Sequence, residues 1–208
     1  RQMCIRDRII GARLGYVIFY NYDYYSENLI EILYLWQGGL SFHGGLLGIV
    51  TAAIIISKLY KTTFFEISDL ICVSAPVGIF FGRISNFING ELFGRPSNFL
   101  IGMKFPNADN QYRHPSQLYE AFLEGLLIFI ILNFLIFKLK KLKNPGIISG
   151  VFLMLYGLFR FTVEFTREPD IQLGFVYHFF TMGMILSLPM FLAGILILVI
   201  KSIKNDTR

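Results

Sequence analysis

Charge is what this sequence has least of. Only 16% of its 208 residues are Asp, Glu, Lys or Arg, while 54% are hydrophobic, 22 are Phe and the mean hydropathy is +0.57. Soluble domains carry nearer a quarter charged residues, so the shortage excludes an ordinary soluble chain and points to an integral membrane protein. Cysteine is scarce as well. Cys4 and Cys72 supply neither a disulfide framework nor CxxC metal spacing, and Cys72 reads as a small buried apolar residue. The glycine-rich pieces lack the P-loop lysine pattern and a strand context. His, Cys and carboxylates are not clustered at metal-ligand spacing, and no Ser, His and Asp set makes a persuasive nucleophilic triad. No metal, cofactor or nucleic-acid partner is therefore expected, and a reaction here would use a nucleophile brought by the substrate.

Long apolar runs are what is present. A spanning helix needs about 20 mostly apolar residues, which selects 42–59, 67–88, 117–137, 146–165 and 177–200, with a shorter run at 9–20. Transmembrane strands are shorter and alternate, so the expected fold is all-α, a polytopic transmembrane helix bundle. Residues 1–8, RQMCIRDR, do not continue the apolar pattern. They read as sequence foreign to the natural protein in preference to a cytoplasmic flank, and no signal-peptide pattern is visible, so the chain is expected to lack its natural beginning.

Lysine placement orients the spans. Lys58 and Lys61 follow the second run, Lys138, Lys140, Lys141 and Lys143 the fourth, and Lys201 and Lys204 the sixth, which puts those connections and the C-terminus in the cytoplasm. Segments 21–41, 89–116 and 166–176 then face outward, together with the helix ends that flank them, and the cations there are arginines: Arg83, Arg95, Arg113, Arg160 and Arg167, with Lys104 as the exceptional lysine. Arginine suits a bidentate grip on phosphate or carboxylate.

Helical spacing gathers these residues. Tyr156, Arg160, Glu164 and Arg167 fall within roughly 80° of one helix face, and Arg83, Asn86 and Asn89 within about 120° of another. Gly82 and Gly90 are expected to allow close approach beside the second group. The first stripe holds two cations and one carboxylate, so an anionic ligand is its natural complement. Structural readings stand beside this one: an Arg160–Glu164 ion pair, or Arg83 binding carbonyls or snorkelling to headgroups. His43, in SFHGGLLG beside the small residues Gly44 and Gly48, reads as a packing residue or as a general base. His114 and His178 read as structural.

In chain order, GGLSFHGGLLG (38–48), GRISNFINGELFGRPSN (82–98), HPSQLYEA (114–121) and RFTVEFTREPD (160–170) resemble the motifs of the prolipoprotein diacylglyceryl transferases. Ser85 stands where that family commonly has glycine, and the similarity runs from about Arg13 onward. It implies about six spans here of a roughly seven-helix bundle, with 9–208 as the transferase domain in the bacterial inner membrane. The activity implied moves the sn-1,2-diacylglyceryl group of phosphatidylglycerol to the lipobox cysteine thiol of a prolipoprotein signal peptide, at the outer leaflet. A thioether forms and glycerol 1-phosphate leaves, the first step of bacterial lipoprotein maturation.

On that reading Arg83 and Arg160 hold the phosphate and His43 takes the thiol proton. Asn86, Asn89 and Tyr156 orient the headgroup, Glu164 positions Arg160 and Arg167, and Gly94 belongs to the site by family resemblance as a narrow backbone position. Two other classes remain: a transporter of a phosphate-bearing or lipid substrate, for which no internal repeat is visible, and a noncatalytic lipid-binding scaffold.

Overall fold

The computed structural model describes residues 12–14, 16–17, 22–34, 42–168, 175–177 and 180–206. The short apolar run at 9–20 and His178 therefore lie largely or wholly outside the described residues. Two compact units are present, Arg1–Ile67 and Ser68–Arg208.

In the first unit, helix α1 (Tyr22–Glu27) is followed by a short 3-10 turn, Leu29–Leu33, and by helix α2 (Phe42–Leu59). Arg13 is buried there and donates to the carbonyls of Ile32 and Glu31 at 2.9 and 2.7 Å.

Helix α3 (Phe64–Ile88) runs into the second unit. The next long apolar segment is a composite: α4 (Ser116–Glu120), a π-helical stretch over Ala121–Leu127, and α5 (Ile128–Phe137). Helices α6 (Ile147–Val163) and α7 (Met182–Asp206) complete the set. Among the described residues three helices, Phe64–Ile88, Ser116–Phe137 and Met182–Ile203, are long and apolar enough to cross a membrane, and Gly44–Leu59 and Ile147–Val163 are shorter apolar helices. Large apolar side chains such as Phe134, Leu192 and Leu196 point outward, whereas Asp69, Gln117, Glu120 and Glu124 are buried. That inversion of the soluble pattern suits a lipid surround.

Small residues let the helices approach. A Cβ on Gly157 would lie 2.7 Å from the Phe191 nitrogen and 2.8 Å from the Ser187 oxygen, so α6 and α7 meet almost backbone to backbone. Gly125 does the same for the π stretch, where a Cβ would sit 2.8 Å from Phe80 Cα in α3. Ile128, Leu132 and Ile148 form the fully buried core, with Cys72 packed against it as a small apolar residue.

The last apolar run, expected from 177, begins its helix only at Met182. Phe175–Tyr177 pairs antiparallel with Phe180–Thr181 instead, as suits an aromatic and β-branched run. Thr181 starts the helix: its Oγ1 accepts from Met184 N–H at 3.3 Å, as an N-cap does.

Asp69 caps a neighbouring helix from across the bundle. Its carboxylate accepts from the Gly146 N–H at 2.7 Å and the Ser149 N–H at 2.8 Å, and also from the Ser149 hydroxyl, at the N-terminus of α6. With 1% exposure it is shut away from water, so its charge is stabilised by those donors and the helix dipole. Asp69→Ala should destabilise the folded protein by about 1–3 kcal/mol. Thermal unfolding in detergent, followed by far-UV circular dichroism, measures this, and an unchanged midpoint would deny the cap that role.

Candidate active site

The connection 89–115 is tied to the helix ends by its own backbone and by side-chain bonds from the HPSQLYE stretch. Gly94 N–H donates to the His114 carbonyl at 2.8 Å and Arg95 N–H to the Thr166 carbonyl at 2.9 Å. Ser116 Oγ donates to the Leu92 carbonyl at 3.1 Å, and Gln117 Nε2 to the Glu91 carbonyl at 2.6 Å. Both side chains are buried. The start of the composite helix is thus stitched to the stretch that follows α3, which brings the motifs at 82–98, 114–121 and 160–167 to one place.

At that place Glu120 is a hub. Arg83 Nε lies 2.6 Å from Glu120 Oε2, while Arg167 Nη1 and Arg160 Nη1 lie 3.0 and 3.3 Å from Oε1. Arg160 also pairs with Glu164 through Nη2 at 2.8 Å and stands 4.0 Å from Glu124. Three guanidiniums, of Arg83, Arg160 and Arg167, therefore face three carboxylates, of Glu120, Glu124 and Glu164. Formal charge balances across the cluster, which corrects the expectation of a partly neutralised stripe: the arginines predicted from spacing are paired.

Exposure divides the two sets. The side chains of Arg83 and Arg160 are 20% and 15% exposed, whereas those of Glu120, Glu124 and Glu164 are 1%, 0% and 5% exposed. Arg83 and Arg160 are thus partly exposed, whereas Arg167, at 8%, is buried with the carboxylates, and Arg160 Nη1 is itself a buried atom. Both carboxylate oxygens of Glu124 lack a hydrogen-bond partner, an expensive state for a buried polar group. It sits on the π-helical stretch, a deviation often found at functional positions.

Glu164 is held from the other side. Thr181 Oγ1 donates to its Oε1 at 2.8 Å, and a Cβ on Gly183 would lie 2.6 Å from the same carboxyl group. The carboxylate thus lies against the first turn of α7, where negative charge is favoured.

The other expected residues fall as follows. Arg167 lies beyond the end of α6, but a turn whose Arg167 N–H reaches the Val163 carbonyl at 3.2 Å keeps it on the expected side. Tyr156 is half-buried and stacks on Phe152 with ring centroids 5.8 Å apart. Asn86 is half-buried on α3, and Asn89 lies just past its end, where its carbonyl accepts from Asn107 Nδ2 at 3.0 Å. Gly90 makes a turn at φ +67°, but a Cβ there would meet nothing closer than 3.4 Å and one on Gly82 nothing within 4 Å, so the expected close approach occurs at neither. His43 lies in α2 in the first unit; its side chain is outside the described residues. His114 packs on Tyr119, its Nδ1 3.3 Å from the hydroxyl, as a structural histidine does.

Arg95 and Arg113 serve the backbone. Arg95 Nε donates to the Arg167 carbonyl at 2.9 Å. Arg113 pairs with Asp109 at 2.8 Å and Glu168 at 2.7 Å, donates to the Gly94 carbonyl at 3.1 Å and lies over the Phe93 ring. Its guanidinium, donating to Asp109, holds that carboxyl below the ordinary 3.8. A lowered folded-state pKa stabilises above the ordinary value, and the benefit is lost as pH falls through the lowered one. Pepsin nicking of the connection should therefore rise below pH 3.8 in wild type, and Asp109→Asn should remove that step. A step that survives in the variant would place the titration elsewhere.

Glu120, Glu124 and Thr181 were not singled out from sequence. Glu120 and Glu124 had a usable signal, since carboxylates four apart inside an apolar run are as costly as the arginines that drew notice. Thr181 had none. Among the described residues there is no group of three or more His, Cys, Asp or Glu placed to hold a metal ion.

Comparison with known proteins agrees with these motifs. The family profile described as prolipoprotein diacylglyceryl transferase matches residues 4–200. A protein of Rickettsia bellii named phosphatidylglycerol--prolipoprotein diacylglyceryl transferase is 50% identical over 200 residues, covering 96% of this chain and 76% of the relative. Proteins of the same name from Rickettsia felis and Rickettsia africae are 53% and 54% identical over 186 residues, covering 89% of this chain and 72% of each relative. A family match across nearly the whole chain, with half of the positions identical in these relatives, establishes that the chain belongs to the prolipoprotein diacylglyceryl transferase family.

Proposed function

We propose that this chain transfers the sn-1,2-diacylglyceryl group of phosphatidylglycerol to the lipobox cysteine of a prolipoprotein signal peptide, with Arg83 and Arg160 as the phosphate-holding pair. The observation that carries the reading is the cluster in which the partly exposed side chains of Arg83 and Arg160 meet carboxylates that are shut away from solvent. Each guanidinium has five N–H donors in a planar fork, more than the carboxylates behind can use, so donors remain for a phosphodiester.

The cysteine sulfur attacks the glyceryl carbon that bears the phosphate ester. A carbon–sulfur bond forms, the carbon–oxygen bond breaks, and the electron pair leaves on glycerol 1-phosphate. Negative charge grows on the leaving oxygen, where preformed guanidinium donors stabilise it best. Asn86, Asn89 and Tyr156 orient the headgroup, Glu164 steadies Arg160, and Gly94 keeps the connection close. His43 takes the thiol proton. The orientation read from the lysines puts the cluster at the outer leaflet of the inner membrane, in a six-span chain whose C-terminus is cytoplasmic.

Mass spectrometry of a lipobox peptide incubated with the protein and phosphatidylglycerol tests the reaction. A diacylglyceryl thioether on the cysteine is expected, and liposome flux of lipid or phosphate without adduct would favour transport instead. The base has its own test. Wild-type transfer should fall below the imidazole's ordinary pKa of about 6.5, while His43→Gln should be slow throughout and flat across that range. A variant with the wild-type pH profile would move the proton acceptor elsewhere.

A further inference from the structure

We infer that Glu120 is a positioning residue that assembles Arg83, Arg160 and Arg167 from behind and holds down their affinity for phosphate so that the phosphate product can leave. The inference rests on the transferase reading above. Glu120 is the one carboxylate among the described residues that pairs with all three arginines, at 2.6, 3.3 and 3.0 Å. Its side chain is 1% exposed, so a ligand meets the guanidiniums and not the carboxylate. Two consequences follow from that geometry. Without the central anion the three cations repel one another and lose their common focus. With the anion present, each cation is partly neutralised and grips a bound phosphate less tightly than three bare guanidiniums would. A residue that only supported the fold would produce the first effect without the second.

Glu120→Gln separates them, because the amide keeps the shape and removes the charge. In folded, monodisperse protein, transfer should slow by at least about 10-fold. Inhibition by added sn-glycerol 1-phosphate should appear at about 10-fold lower concentration, equivalent to about 1.4 kcal/mol. Slower transfer with weaker or unchanged inhibition would overturn the inference, as would unchanged kinetics. Glu120→Asp provides a second arm if the glutamine variant does not fold. It retains the charge one methylene short, so transfer should slow while the inhibition constant stays at the wild-type value. Tighter inhibition in that variant would equally overturn the charge account. Should wild type form no thioether, the transferase reading itself fails, and thermal stabilisation by glycerol 1-phosphate then decides the point. Glu120→Gln should still be stabilised at lower phosphate-ester concentrations than wild type, and equal or weaker stabilisation would sink the role given to Glu120.

Discussion

Arg160→Lys should lower kcat/KM for transfer to a lipobox peptide on the order of 100-fold, a loss of about 2.7 kcal/mol in the transition state. Charge survives in this variant; geometry does not. Arg160 reaches two carboxylates with different nitrogens, Glu120 at 3.3 Å through Nη1 and Glu164 at 2.8 Å through Nη2, and its side chain is 15% exposed. An ammonium is a compact point charge on a flexible stem and cannot span the same partners while facing a phosphate as a fork. Steady-state transfer, normalised to monodisperse protein, measures the effect. Since Glu120 also binds Arg83 and Arg167, the variant should retain most of its thermal stability, which separates a lost grip from a lost fold. Transfer within about threefold of wild type would show that positive charge alone suffices and would remove the bidentate account.

How far the site could be read in advance depended on how local its determinants were. Arg83 and Asn86, or Tyr156, Arg160 and Glu164, lie on single helices, so a period of 3.6 placed them together without knowledge of the fold. The apolar runs at 42–59, 67–88 and 117–137 likewise announced their helices within a few residues. Non-local pairing was hidden. That Glu120 would meet arginines from α3, from α6 and from the turn after α6 depends on how helices cross, and periodicity within one helix does not contain that. The π-helical stretch Ala121–Leu127 was hidden for a related reason, since nothing in AFLEGLL distinguishes an i→i+5 turn from an α-helical one, and the wider turn goes with the close approach of Gly125 to Phe80. The expected net positive charge of the Arg160 stripe failed because charge was counted along one helix, while the neutralising carboxylates came from another.

Gly94→Ala should abolish most transfer, by 100-fold or more as an order of magnitude, and destabilise the fold by about 1–3 kcal/mol. The added methyl has nowhere to go: a Cβ on Gly94 would lie 2.7 Å from the His114 carbonyl oxygen and 2.8 Å from His114 Cβ, and still closer to the Thr166 carbonyl. Two of those three neighbours are backbone atoms, which cannot step aside as a flexible side chain can. The same residue donates its N–H to His114 at 2.8 Å, accepts from Arg113 at 3.1 Å and pairs with Arg167 across an isolated bridge. Pushing the chain out at this point therefore moves the turn that presents Arg167 to Glu120, and shifts of about 1 Å at positioning groups are enough to cost large factors in rate. Gly82→Ala is the matched comparison, because a Cβ there meets nothing within 4 Å and replacing a mid-helix glycine by alanine stabilises by about 0.5–1 kcal/mol. Parallel transfer assays and thermal unfolding of the two variants decide the matter. Equal activity in both would show that the crowding at Gly94 is relieved without disturbing the arginine cluster, and would detach this glycine from the site.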